Sequence, residues 1–175
     1  MTGPAVVLVG PPGAGKSTVG ALLAERLGLA VRDTDADVER AAGKTIADLF
    51  LEEGEEYFRD LEAEAVRRAL AAHEGVLSLG GGAVLRPETR ALLAGLPVVF
   101  LDVTDAEAVR RVGLDAPRPL LAVNPRRHWR ELMERRRPLY AEVARAVVPT
   151  AGRTPQDVVL AVCEALELDV ECETE

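Results

Sequence analysis

The chain has 175 residues, 48% of them apolar and 29% charged, with a formal net charge of −8. That length fits one domain with a genuine core, and the acidic balance argues against a nucleic-acid backbone or an anionic membrane surface as partner. No apolar run approaches the roughly 20 residues of a membrane-spanning helix. No basic leader precedes the first apolar stretch, so a cytoplasmic protein is expected. Cys163 and Cys172 lack neighbouring metal ligands and are expected to stay reduced. Aromatic residues make up only 3%, so the core must be built from Ala, Val and Leu.

AVVLV (5–9) is short, β-branched and uninterrupted by polar residues, which predicts a strand buried on both faces. GPPGAGKS (10–17) follows it, and STVGALLAERLG (17–28) then spaces Val19, Leu22, Leu23 and Leu27 as a helix that stops at Gly28. A short strand is predicted over 29–33 and a helix over 36–43. Thr45 reads as the N-cap of the next helix, with Asp48 three residues on. Residues 55–73 form a long amphipathic helix with Glu/Arg pairs at helical spacing. GVLSL (75–79) is a buried strand ending in Gly80, Gly81 and Gly82. A helix over 87–95 opens on Pro87, and PVVFLDV (97–103) is another strand. Thr104 caps a helix over 105–113. Gly113, Pro117, Pro119 and Pro125 then break the pattern across 113–125, which has the composition of a short mobile lid. A helix resumes over 129–136, with Trp129 as a packing anchor. A strand follows over 144–149 and a helix over 154–168, with Thr154 as its cap and Pro155 in its first turn. His73 and His128 belong to no constellation and read as surface residues. Residues 169–175 are an acidic tail. Strands alternating with helices predict a three-layer α/β/α fold around a five-stranded parallel sheet, one domain over 1–168.

The segment 10–17 matches G-x-x-x-x-G-K-[ST] between a strand and a helix, the context a phosphate-binding P-loop requires. Glycines let backbone N–H groups face a phosphate, and the helix that follows adds its positive end. Only Lys16 and Lys44 occur against nineteen arginines, so Lys16 is no generic surface cation. It suits the outer phosphates, while the Ser17 hydroxyl suits Mg²⁺, a cation that keeps several waters. Residues 110–137 hold nine Arg against three acidic residues. Most of these arginines read as a solvated helix face, but a local basic patch in an acidic protein also suits a small polyanion.

DTD (33–35) ends the second strand and should face the phosphates across the crevice at the strands' carboxyl ends. Asp35 could equally cap the following helix. Arg59 could merely pair with Glu55, Glu56 or Glu62. Three glycines directly after a buried strand invite close approach of a ligand. Taken in order with FRDLE (58–62), LSLGGGAV (77–84), RPLL (118–121) and RRPLY (136–140), this set resembles the shikimate kinase family, small P-loop proteins of the nucleoside-monophosphate-kinase type.

The resemblance implies ATP-dependent phosphorylation of the 3-hydroxyl of shikimate, with ATP and shikimate as partners, Mg²⁺ as cofactor, and a monomer. Gly13, Ala14, Gly15, Lys16, Ser17 and Thr18 would hold the nucleotide phosphates, with Ser17 on Mg²⁺ and Asp33 reaching it through water. Asp35 would bind shikimate hydroxyls and either take the reacting proton or only orient the hydroxyl. Arg59 and Arg136 would grip the carboxylate, which suits the planar guanidinium fork. Gly80, Gly81 and Gly82 would approach the ring, Gly81 donating to a hydroxyl, and Phe50 and Phe58 would form the pocket's apolar wall. Arg118 would reach the γ-phosphate from the lid, and Arg111, Arg153 and Pro155 would flank the adenine. The catalytic set implied is Lys16, Asp35 and Arg118, and the acceptor region spans about 34–62. Two other readings remain open: the same fold acting on gluconate or a nucleoside monophosphate, and a nucleotide-binding regulator.

Overall fold

The computed structural model describes residues 3–115 and 124–168. Five parallel strands form one sheet in the order β2-β3-β1-β4-β5: β1 (Val6–Val9), β2 (Val31–Asp33), β3 (Val76–Ser78), β4 (Val98–Asp102) and β5 (Ala146–Pro149). Every residue of β1 and β3 is buried, as the apolar run of β1 requires, and Ser78 ends β3 as a buried polar residue. The step from β1 to β2 runs one way across the sheet and the later steps run the other. Right-handed crossovers therefore place helices on both faces. Helix α1 (Lys16–Leu27) packs with α8 (Pro155–Ala165). Helix α5 (Pro87–Leu93) packs against both α4 (Glu55–Ala72) and α7 (Pro125–Val143). Gly20 of α1 is buried against the sheet, where a Cβ would make ordinary contact with Leu8 and Val31 at 3.5 Å. Helix α6 (Asp105–Asp115) packs on α7. A separate small core of Val38, Leu49 and Phe58 joins α2 (Thr34–Ala42), α3 (Ile46–Glu53) and α4.

Most expected elements are present, with instructive shifts. Helix α2 begins at Thr34, not at 36, and its cap is Asp33, whose Oδ1 accepts from the Asp35 N–H at 2.8 Å. The Asp35 side chain is thereby not needed for capping. Helix α7 runs on through Pro138 to Val143, although the sequence suggested a stop at 136. Burial of Arg136, Tyr140 and Val143 on one face outweighs the backbone bond that Pro138 removes. A short 3₁₀ turn, Ala83–Leu85, follows the three glycines. His73 is not a bystander: it ends α4, and its Nε2 lies 3.2 Å from the Ala30 carbonyl and 3.0 Å from that of Val76. Thr45 and Thr154 cap their helices as expected, the latter in a reciprocal box with Asp157. Of the expected lid, residues 113–115 close α6 and Pro125 opens α7. Arg118 lies outside the described residues, as does the tail from 169.

Candidate active site

Strand register decides which loops meet. Leu8 of β1 is level with Ser78 of β3, and Ser78 is level with Asp33 of β2. Two residues further along each strand stand Gly10, Gly80 and Asp35. The glycine-rich loop, the triple glycine and the DTD segment therefore leave three adjacent strands at the same level. That is the carboxyl-end crevice where open α/β sheets bind ligands.

In the first loop, Gly13 and Gly15 have φ of 85° and 88°, a region open to glycine and costly for other residues. The carbonyls of the loop are taken in sequence. Lys16 Nζ donates to Gly10 O at 2.7 Å and to Pro11 O at 3.1 Å. Trp129 Nε1 donates to Pro12 O at 3.5 Å, and Arg111 Nη1 to Gly13 O at 3.0 Å. With these carbonyls held, the start of α1 presents the positive end of a helix, which favours an anion. A cavity of about 500 Å³ opens there, lined by Gly13, Ala14, Gly15, Lys16, Ser17 and Thr18. Arg111, Arg153 and Pro155 line the same cavity, and so do Asp33, Asp35 and Gly81. All the described residues expected at the nucleotide are thus together, and the cavity extends to the start of the acceptor region.

The triple glycine brings together the residues expected on the acceptor side. A Cβ on Gly80 would stand 2.8 Å from Glu62 Oε2 and would overlap Asp35 Oδ1 outright. A Cβ on Gly82 would overlap the Arg59 guanidinium, and one on Gly81 would come 3.5 Å from Arg136 Nη1. At Gly80 and Gly82 the room a side chain would need is taken by Asp35, Glu62 and Arg59, and at Gly81 by the Pro12 ring, 3.1 Å from such a Cβ. Arg59 donates from Nη1 to Glu62 Oε1 at 2.7 Å, while its Nε makes no hydrogen bond among the described residues and faces Glu55 Oε1 in an ion pair at 3.6 Å. Its Cζ lies 5.9 Å from the Phe50 ring centroid and 5.1 Å from that of Phe58. The two rings are themselves 4.8 Å apart. A half-buried guanidinium whose Nε makes no hydrogen bond, backed by aromatic faces, fits a carboxylate ligand. Burial pushes the Glu62 carboxyl above its ordinary pKa, against the pull of Arg59 and, more weakly, Arg136 and Arg86.

The comparisons with known proteins come down on one side. A family model for shikimate kinase matches residues 12–167. A shikimate kinase of Streptomyces avermitilis is 67% identical over 96% of this chain and 98% of its own length. One of Streptomyces coelicolor is 64% identical over the same shares. The chain belongs to the shikimate kinase family. Among solved structures, a shikimate kinase from Acinetobacter baumannii in complex with shikimate superposes with a TM-score of 0.89. It is 36% identical and covers 95% of this chain and 94% of that one. A gluconokinase from Sinorhizobium meliloti, 20% identical with a TM-score of 0.53, shares the fold.

Several site residues escaped the sequence reading of this shikimate kinase family member. Pro12, Ser78, Leu79, Thr150 and Val158 also line the cavity. Buried Thr34 accepts from the Gly80 N–H at 3.3 Å. Glu62 appeared only as one of three partners for Arg59. Its spacing of three from Arg59 was visible, but nothing in the sequence marked it as the buried one.

Proposed function

We propose that the chain transfers the terminal phosphate of ATP to the 3-hydroxyl of shikimate, giving shikimate 3-phosphate and ADP. The observation that carries this reading is the meeting of Asp35, Arg59 and Arg136 on one triple-glycine loop at the rim of the phosphate-loop cavity. In this reading the amides from Gly13 to Thr18 and the Lys16 ammonium hold the nucleotide phosphates, and Arg111, Arg153 and Pro155 flank the base. Arg59 and Arg136 bind the shikimate carboxylate, Phe50 and Phe58 form its apolar wall, and the Gly80–Gly82 backbone meets the ring. Asp35 accepts from the reacting hydroxyl. The hydroxyl oxygen attacks the γ-phosphorus as the bond to the β-bridging oxygen breaks, and the proton passes to Asp35. Arg118 would bring a further cation to the γ-phosphate. Catalysis here is chiefly positioning and charge stabilisation.

The Mg²⁺ site is read from two oxygen donors. The Ser17 hydroxyl and the Asp33 carboxylate line one cavity, and no group of three or more His, Cys, Asp or Glu side chains could hold a metal among the described residues. So sparse a set fits a cation held mostly by waters and phosphate oxygens. Bound there, Mg²⁺ would neutralise charge on the transferring phosphate. Every proposed contact comes from a single chain, so we propose a monomer. No described helix is long and apolar enough to cross a membrane, and we place the reaction in the cytoplasm.

A coupled ADP-release assay tests the reading. Shikimate-dependent turnover is expected, and gluconate and AMP should be poor acceptors. A folded, ATP-binding sample with no shikimate-dependent turnover would overturn it. Faster turnover of gluconate or AMP would reassign the acceptor.

A further inference from the structure

The RRPLY segment contains a residue to which the reading above gives no part. Tyr140 is fully buried, and its hydroxyl donates to the carbonyl of Gly81 at 2.5 Å. Its ring stacks on Phe100 of β4, centroids 5.0 Å apart. Arg136 stands one turn earlier on the same face of α7, and its guanidinium faces the same hydroxyl. Arg59 and Glu62 are the other charged groups whose fields reach it. One phenol therefore bonds to the Gly81 backbone and lies in the field of the Arg136 side chain, both proposed to bind the acceptor.

Three consecutive glycines form the least constrained backbone a chain can offer. Each carbonyl in the run is nonetheless held. Gly80 O accepts from the Ala83 N–H and Gly82 O from the Leu85 N–H, both at 3.1 Å, through local turn bonds. The middle carbonyl alone is held by a distant element, 59 residues away. In a trans peptide the N–H points opposite to the C=O. Fixing Gly80 O and Gly81 O therefore aims the N–H groups of Gly81 and Gly82 the other way. Neither of these N–H groups has a hydrogen-bond acceptor among the described residues.

We propose that Tyr140 is a positioning residue for the acceptor. Its hydroxyl sets the peptide plane after Gly81, and so the direction of the amides that meet the substrate ring, and it fixes the Arg136 guanidinium beside them. It touches neither substrate. The proposal rests on the acceptor reading given above.

Tyr140→Phe tests it, because phenylalanine keeps the stack on Phe100 and removes only the hydroxyl. With both substrates varied, kcat/KM for shikimate should fall about tenfold, the loss of a buried hydrogen bond. The KM for ATP should stay within about twofold, since the phosphate loop is held by other donors. Unchanged shikimate kinetics, or equal losses for both substrates, would overturn the proposal. Absence of shikimate turnover in the wild type would instead overturn the functional reading itself. Should the variant not fold, wild-type protein labelled with 3-fluorotyrosine serves. The chain has two tyrosines, and Tyr57 is exposed, so Tyr57→Phe assigns the two ¹⁹F signals. The Tyr140 signal should move as shikimate is titrated, and a signal unmoved at saturation would overturn the proposal.

Discussion

Gly82→Ala separates the geometry of Arg59 from its chemistry, because it moves the guanidinium without altering it. Gly82 has φ −98° and ψ 4°, a backbone that alanine adopts without strain. The added methyl carbon would lie 2.5 Å from Arg59 Cζ and Nη2, and nearer still to Nη1, where ordinary contact begins at 3.4 Å. The guanidinium must retreat by about 1 Å, and such a misplacement can cost on the order of 10²-fold in rate. We expect kcat/KM for shikimate to fall 30- to 100-fold, or about 2–3 kcal/mol of transition-state stabilisation. The end of an arginine side chain moves easily, so the fold should lose only about 1–2 kcal/mol, chiefly from the strained bond to Glu62. The assay is coupled ADP release with shikimate varied at saturating ATP and then the reverse, alongside urea unfolding. ATP kinetics should be nearly unchanged. A shikimate KM and kcat equal to wild type would show that Arg59 does not bind the carboxylate from this seat. Equal damage to both substrates would show that the loop acts through general disorder.

Lys16→Ala should lower kcat by about 10³-fold or more while circular dichroism stays native, because the lost charge is the one proposed to serve the transferring phosphate; near-normal turnover would remove Lys16 from the site. Arg136→Ala should weaken shikimate by 2 kcal/mol or more, since its partner would be left buried and unpaired, with ATP little affected; equal weakening of both substrates in initial-rate measurements would misplace the arginine. Burial raises the Glu62 pKa above its ordinary 4.5, so the folded chain binds its proton more readily than the unfolded chain does. The stability it contributes is therefore fullest below 4.5 and declines as pH rises through the folded pKa. Glu62→Gln should flatten that decline in urea midpoints taken from pH 4.5 upward; parallel curves for variant and wild type would refute it.

What could be read in the sequence was local. The glycine loop announces itself because strand, turn and helix follow one another within a few residues, and Lys16 is nearly the only lysine. The acceptor side is assembled by register, and no local pattern encodes that Ser78 lies level with both Leu8 and Asp33. Family resemblance supplied the grouping of Asp35, Arg59 and Arg136, which spacing alone left open. Asp33 and Asp35 were hard to tell apart for the same reason. Either carboxylate can cap a helix, and only the backbone shows that Asp33 does so. Pro138 misled because a proline is read as a stop, whereas tertiary burial of Tyr140 and Val143 carries α7 past it. Glu62 and Tyr140 were hidden because their significance is burial against a distant loop.

The two glycine loops solve one problem in the same way. Backbone amides can serve a ligand only if they are not spent within the protein, and glycine-rich chain left alone would not keep them aimed. In the first loop the carbonyls of Gly10 through Gly13 are bound by Lys16, Trp129 and Arg111. In the second, those of Gly80 through Gly82 are bound by Ala83, Tyr140 and Leu85. Satisfied acceptors on one side leave donors on the other, which is the preorganisation that phosphoryl transfer rewards. The loops follow neighbouring strands, and a Cβ on Gly81 would come 3.1 Å from the Pro12 ring. Their faces therefore abut. Phosphate donor and acceptor hydroxyl have to meet within van der Waals reach, and parallel strands with tethered glycine ends bring the two surfaces that close before any ligand arrives.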